Sequence, residues 1–150
     1  MAKKLTLGFA FMLIALLGTI MPAIAQQKDK IEGIWYNQEK TAKIEIYKAV
    51  NGRFCGKIVW LKEPVRNGQV RTDENNPDAA KRKNQLMGLA ILWGFDKDGD
   101  NGYENGKIYD PKNGKTYSCK ITHKGNSLDV RGYVGISLIG RTAVWERTTL

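Results

Sequence analysis

Between residues 33 and 147 apolar side chains recur at every second position in short runs, and Gly, Asn, Asp or Pro ends most runs. Ile44 and Ile46 fall on one side of their run, Lys43 and Glu45 on the other; Leu128 and Val130 alternate with Asp129 and Arg131. A period of two is the signature of a strand with one buried face. Asn-Gly occurs five times, at Asn51-Gly52, Asn67-Gly68, Asn101-Gly102, Asn105-Gly106 and Asn113-Gly114. Both residues tolerate the positive φ of tight hairpin turns, so these pairs mark hairpins. The runs between turns give eight candidate strands, at 33–37, 41–48, 53–61, 86–95, 103–110, 115–123, 127–133 and 141–147. In the third, Phe54, Gly56, Ile58 and Trp60 share a face. The fourth is nearly all apolar, and periodicity leaves it either a strand or a buried helix segment.

Eight short strands joined mainly by hairpins predict an all-β domain, a small antiparallel up-and-down β-barrel closed so that no edge is exposed. A two-sheet sandwich is the other arrangement the pattern permits. The polar connection over 62–85, with Pro64 and Pro77, reads as an irregular flap over one barrel mouth.

Residues 1–25 have a different character. Lys3 and Lys4 precede an apolar stretch from Leu5 to Ile20, Pro22 interrupts it, and Ala23-Ile24-Ala25 is a small-x-small cleavage site. That layout predicts a secretory signal peptide, cut so that the mature chain begins at Gln26 and is periplasmic or secreted. A membrane-spanning helix has no use for the Ala-x-Ala end. Leu16-Leu17-Gly18 is followed by Thr19 and not by cysteine, so the expectation is a soluble monomer without a lipid anchor.

The formal charge of +9 falls to +7 when Lys3 and Lys4 leave with the signal segment, which holds no Asp or Glu. Basic proteins seek nucleic acid, anionic lipid or acidic polysaccharide. Export argues against nucleic acid. Lys81-Arg82-Lys83 is the densest basic run, and it reads as a solvated loop.

Two segments carry a family resemblance. Gly33-Ile34-Trp35 resembles the Gly-x-Trp element that opens lipocalin-like barrels. GKIYDPKNGKTYSCKI (Gly106–Ile121) and LDVRGYVGISLIGRTAVW (Leu128–Trp145), with GKIVWLKEP (Gly56–Pro64) and NNPD (Asn75–Asp78), resemble the exported bacterial family known as domain of unknown function 2147. The resemblance spans almost the whole mature chain and implies a lipocalin-like fold with no agreed catalytic residues. It also implies structural roles for Gly33 and Trp35, with Trp35 closing one barrel end and an arginine of the last strand across its ring. Arg141 is taken as that arginine, ahead of Arg147.

Candidate chemistry is sparse. Asp96-Lys97-Asp98-Gly99-Asp100 resembles the opening of a calcium loop, but the sixth and twelfth positions are Asn101 and Lys107 where that loop needs Gly and Glu. His123 is the sole histidine, and neither a metal site nor a nucleophile–base pair is suggested around it. Carboxylates such as Glu32 and Glu45 form no distinctive catalytic pair. Cys55 and Cys119 are the only cysteines; an oxidising compartment allows a disulfide, against the alternative of two separate thiols. Cys55 shares its face with Lys57, and Cys119 with Tyr117 and Ile121. No metal or cofactor is expected.

Two readings of function follow. In one, the barrel encloses a small apolar or amphipathic ligand. In the other, the four tryptophans and six tyrosines, with the phenylalanines of the mature chain, fill the interior, and the protein acts through its surface without catalysis. If a ligand binds, it is expected beneath the flap, where Arg66, Arg71, Lys81, Arg82 and Lys83 would attract an anionic head group.

Overall fold

The computed structural model describes residues 27–150. The signal-peptide reading and the Gln26 terminus lie outside them. The chain forms β1 (Gly33–Tyr36), β2 (Ala42–Lys48), β3 (Phe54–Leu61), β4 (Val65–Arg66), β5 (Gln69–Val70), β6 (Ala90–Asp98), β7 (Gly102–Asp110), β8 (Lys115–His123), β9 (Ser127–Tyr133) and β10 (Gly140–Thr148). Eight of these close an antiparallel barrel in the order β1-β10-β9-β8-β7-β6-β3-β2, while β4 and β5 pair as a small separate hairpin. The predicted barrel is therefore present, and the sandwich is not.

The fourth candidate run is a strand, shifted to Ala90–Asp98. Residues 86–89 form a turn instead. Gly88 has φ +84, its N–H donates to the Ile58 carbonyl, and the Ile58 N–H donates to the Leu89 carbonyl. The connection between β3 and β6 carries the β4–β5 hairpin and a short 3-10 turn at Ala79–Lys81.

One barrel end is packed shut. Trp35 and Ile31 are fully buried there, with Phe54, Phe95, Tyr103, Ile121 and Leu128 stacked above them. Phe54 and Tyr103 meet edge to face with centroids 5.2 Å apart. Gly106 is needed at this level because a Cβ would fall 2.3 Å from the Phe95 ring. The Trp35 indole Nε1 donates to the Ile31 carbonyl at 2.8 Å, which fastens the segment before β1 beneath the barrel.

The arginine across Trp35 is Arg147, not Arg141. Its guanidinium lies 4.0 Å from the ring centroid and donates to the Glu32 carbonyl at 3.3 Å and to the Lys30 carbonyl. Trp35 and Arg147 are direct register partners. Because β1 and β10 are antiparallel, the start of the first strand meets the end of the last. Arg141 faces inward too, opposite Gly132, but six residues earlier on β10, roughly 20 Å away at the other end. Gly33 makes room for this contact: its φ is +137, and a Cβ there would stand 2.7 Å from the Arg147 guanidinium.

Two further expectations fail at bulges. Lys43 pairs with Trp60 while Ile44 pairs with Ile58, so β3 has one residue more than β2 at this point. The extra residue turns Trp60 outward, where it meets Tyr36 edge to face at 6.0 Å. The ammonium of Lys43 sits 5.1 Å and 5.3 Å from the centroids of these two rings. On β6 the register skips between Leu92 and Phe95, Gly94 takes φ +78, and Trp93 stands on the outside, half-exposed. Two of the four tryptophans are thus unavailable to fill the barrel.

Cys55 and Cys119 are separate thiols. Cys119 points inward opposite Gly106 and Gly132, whereas Cys55 pairs with Tyr47 on the outer face. Their strands are three apart in the ring, roughly 14 Å at ordinary strand spacing, beyond the reach of a disulfide. Burial pushes the Cys119 thiol up to about 12, so it is inert as a nucleophile at neutral pH.

Candidate functional site: the open half of the barrel

The half of the barrel away from Trp35 encloses a cavity of about 1110 Å³ open at the mouth. Its inner wall is aliphatic, with Ile44, Ile58, Ile91, Ile108 and Val130 among the lining residues and Trp145 beside them, while polar residues of the connections line the part nearer the mouth. The space exists because several inward positions are small: Ala42, Gly132 and Ala143 all line it. Large rings close one half of the barrel, and small residues leave the other half empty.

Four connections border the mouth: 37–41, 62–89, 111–114 and 134–139. From the strand order, 134–139 stands opposite 62–89, and 37–41 stands opposite 111–114. The last two reach toward each other, with Lys112 Nζ 3.9 Å from a Glu39 carboxylate oxygen. An exposed ion pair thus spans the mouth. Arg66, Arg71 and Arg141 border it as well, with Glu74 and Asp110. Among the described residues, the Arg141 guanidinium makes no side-chain ion pair, whereas Arg66 lies 3.8 Å from Glu63 and Arg71 donates to the Glu63 carbonyl at 3.5 Å.

The five basic residues expected to form a site separate into two groups. Arg66 and Arg71 stand at the mouth. Lys81, Arg82 and Lys83 lie on a part of the flap that bends down the outside of the barrel. Arg82 Nε donates to the Asn76 carbonyl at 2.8 Å, Lys81 is 3.5 Å from Asp78, and Lys83 is exposed. Arg141, assigned to the opposite end by sequence, joins the mouth group.

The flap is fixed by a buried polar cluster. Asp73 is fully buried and accepts hydrogen bonds from the Tyr109 hydroxyl at 2.6 Å and from Asn76 Nδ2 at 2.6 Å. Asn75 Nδ2 donates to the Pro111 and Lys112 carbonyls, each at 3.1 Å. Gly114, at φ +70, lies so close that a Cβ would meet the Asn75 carbonyl oxygen at 1.9 Å. The Asn75–Asp78 and Tyr109–Pro111 segments are therefore two halves of one clamp, which holds part of the flap against β7 and leaves the mouth open.

At the closed end His123 meets the Trp35 ring edge to face at 6.1 Å. Burial lowers its pKa below the usual value, with the charges of Arg147, Lys30 and Lys97 adding to the effect and Asp29 opposing it. Asp29 accepts from Lys97 and Tyr103; burial works against its charged form, but those bonds prevail and hold its pKa low. The sign follows for His123: below about pH 6.5 the unfolded chain takes up the proton first, so the fold loses stability as pH falls toward the folded-state value. His123→Gln is expected to flatten the fall in urea midpoint between pH 7.5 and 5.5. Parallel profiles for the two proteins would refute the assignment. Asp96, from the calcium-like run, is held by Arg53 at 3.0 Å and by Asn105.

A solved structure described as protein HP1028 from the human pathogen Helicobacter pylori, which belongs to the lipocalin family, has a similar fold, with a TM-score of 0.71. The two chains are 24% identical over 81% of this chain and 84% of that one, so the likeness is one of fold. No curated protein matches the chain. The family described as uncharacterized proteins conserved in bacteria (DUF2147) matches residues 33–147, which is the barrel from its first strand to its last, and the chain belongs to that family.

Proposed function

We propose that the protein is an exported, periplasmic carrier or sensor of a small amphipathic molecule, bound with its apolar part inside the barrel and an anionic group at the mouth. The observation that carries this reading is the cavity of about 1110 Å³, with an aliphatic inner wall and a polar, charged mouth, opposite the barrel end that Trp35 packs shut; it is at the upper end of the size of ordinary ligand sites. Arg66, Arg71 and Arg141 supply positive charge where a carboxylate or similar head would rest. The apolar wall offers transfer free energy of about 0.8 kcal/mol for each methylene taken from water. The signal-like residues 1–25 support export.

A fluorescent fatty-acid analogue titrated against the purified protein is expected to bind saturably and to quench Trp145, which lines the cavity. Ala143→Phe fills the wall, and the expected result is loss of binding with an unchanged urea midpoint. Neutralising Arg66, Arg71 and Arg141 together is expected to weaken an anionic probe by about tenfold or more and an uncharged analogue little. Equal binding by the wild type and Ala143→Phe would rule out the barrel interior as the site.

A further inference from the structure

The connection between β9 and β10 is an apolar projection at the mouth. Val134 is 73% exposed, Ile136 58%, Leu138 85% and Ile139 73%. Val134 and Ile139 border the cavity mouth, Ile136 and Leu138 are not part of its lining, and Arg131 braces the loop. Its guanidinium donates to the Ser137 carbonyl at 2.6 Å, the Leu138 carbonyl at 3.2 Å and the Thr142 hydroxyl at 2.9 Å. The Ile139 N–H donates to the Ile136 carbonyl at 3.2 Å. Three of the loop's carbonyls and one of its N–H groups are thereby satisfied, which lowers the cost of moving the loop tip out of water.

Directly across the mouth the β4–β5 hairpin exposes Val65 and Val70. Two aliphatic projections thus flank the opening, with Arg66, Arg71 and Arg141 between or beside them. The barrel wall is different: Glu45, Lys57, Lys107 and Lys120 point outward along it. The mouth sets a whole loop of protruding aliphatics beside four cations, Arg66, Arg71, Lys112 and Arg141, against three lining carboxylates, Glu39, Glu74 and Asp110.

We infer that the barrel docks mouth-first on a bilayer surface containing anionic phospholipid, inserting the Val134–Ile139 loop and the β4–β5 hairpin among the acyl chains. Charge complementarity selects this occupant. Aliphatics that enter the acyl boundary beside arginines that reach the head groups are the usual chemistry of interfacial binding. A stable protein pair needs roughly 800 Å² of fitted surface per partner, a demand poorly met by two narrow projections separated by an open cavity. Docking shares Arg66, Arg71 and Arg141 with the proposed ligand site but needs no ligand in the barrel, and Ile136 and Leu138 lie outside the cavity lining, so the two readings can fail separately.

The test is flotation of the purified protein with phosphatidylcholine vesicles, with and without phosphatidylglycerol, at low and high salt. Binding is expected only with phosphatidylglycerol and is expected to weaken with salt. The double variant I136S/L138S is expected to lose at least about tenfold in vesicle affinity while keeping the wild-type urea midpoint and fatty-acid binding. Leu138→Trp is expected to gain a blue-shifted emission on vesicles. Val50→Trp, an equally bare apolar position at the other end of the barrel, is expected to gain none. No flotation of the wild type, or an equal shift at residue 50, would overturn the inference. So would a wild-type dimer that I136S/L138S dissociates, since a second copy would then be the rim's occupant.

Discussion

Trp35→Ala is expected to lower stability by about 3–5 kcal/mol, the usual cost of deleting a large buried ring. The indole is fully buried, and its loss also strands the Ile31 carbonyl that it caps and removes the surface on which Arg147 lies. Domains of this size are stable by only about 5–15 kcal/mol, so the variant should be close to unfolding at moderate urea. Arg147→Ala is expected to cost less, about 1–2 kcal/mol, the range of a partly desolvated cation–π contact. Arg141→Ala should fall within about 0.5 kcal/mol of wild type, as an open surface position does. Urea midpoints followed by circular dichroism give the order. Equal losses at Arg141 and Arg147 would contradict the plug.

The second large effect is expected at Asp73. Hydrogen bonds to a charged group contribute about 1.5–3 kcal/mol each, and Asp73→Ala removes two while leaving the Tyr109 hydroxyl and the Asn76 amide without their partner. A loss of about 3 kcal/mol is expected, concentrated in the flap, so that protease cleavage within 74–85 should accelerate before the barrel melts. Asp73→Asn keeps an acceptor for Tyr109 and should lose about half as much. Burial and the Asp73 carboxylate push the Tyr109 hydroxyl up to about 12. The stability it lends is therefore present at neutral pH and is lost only as pH climbs from about 10 through that value. Unchanged proteolysis in Asp73→Ala would mean that the clamp does not hold the flap.

The eight barrel strands were legible because alternation and Asn-Gly turns both report local backbone geometry. The bulges were not. One extra residue in β3 reverses the side on which Trp60 lies, yet it leaves composition and the apolar run unchanged. The choice between Arg141 and Arg147 was available in principle: in a closed barrel the first and last strands are antiparallel, so a tryptophan at the third place of β1 meets a residue near the end of β10. The mouth was half legible. Arg66 and Arg71 belong to it, but Lys81, Arg82 and Lys83 follow a flap whose path is decided by Asp73, whose partner Tyr109 is 36 positions away. An aspartate in a polar loop looks like any solvating charge until the fold buries it. The apolar loop at 134–139 was visible as letters, but its bracing by Arg131, which donates to the Ser137 and Leu138 carbonyls, depends on the hairpin's geometry.

The seam between β1 and β10 also sets an order of events in time. Most other neighbours in the ring are joined by short turns, whereas Arg147 reaches the Glu32 carbonyl across 115 positions. Loop-length scaling makes that closure about 3 kcal/mol more costly in entropy than a four-residue hairpin. The sheet from β6 to β10 can therefore assemble first, with the seam zipping late in the folding reaction. Contacts formed after the transition state govern how fast a protein comes apart more than how fast it folds. Substitutions at Gly33, Trp35 and Arg147 should accordingly shorten the lifetime of the native state and leave the refolding rate almost unchanged.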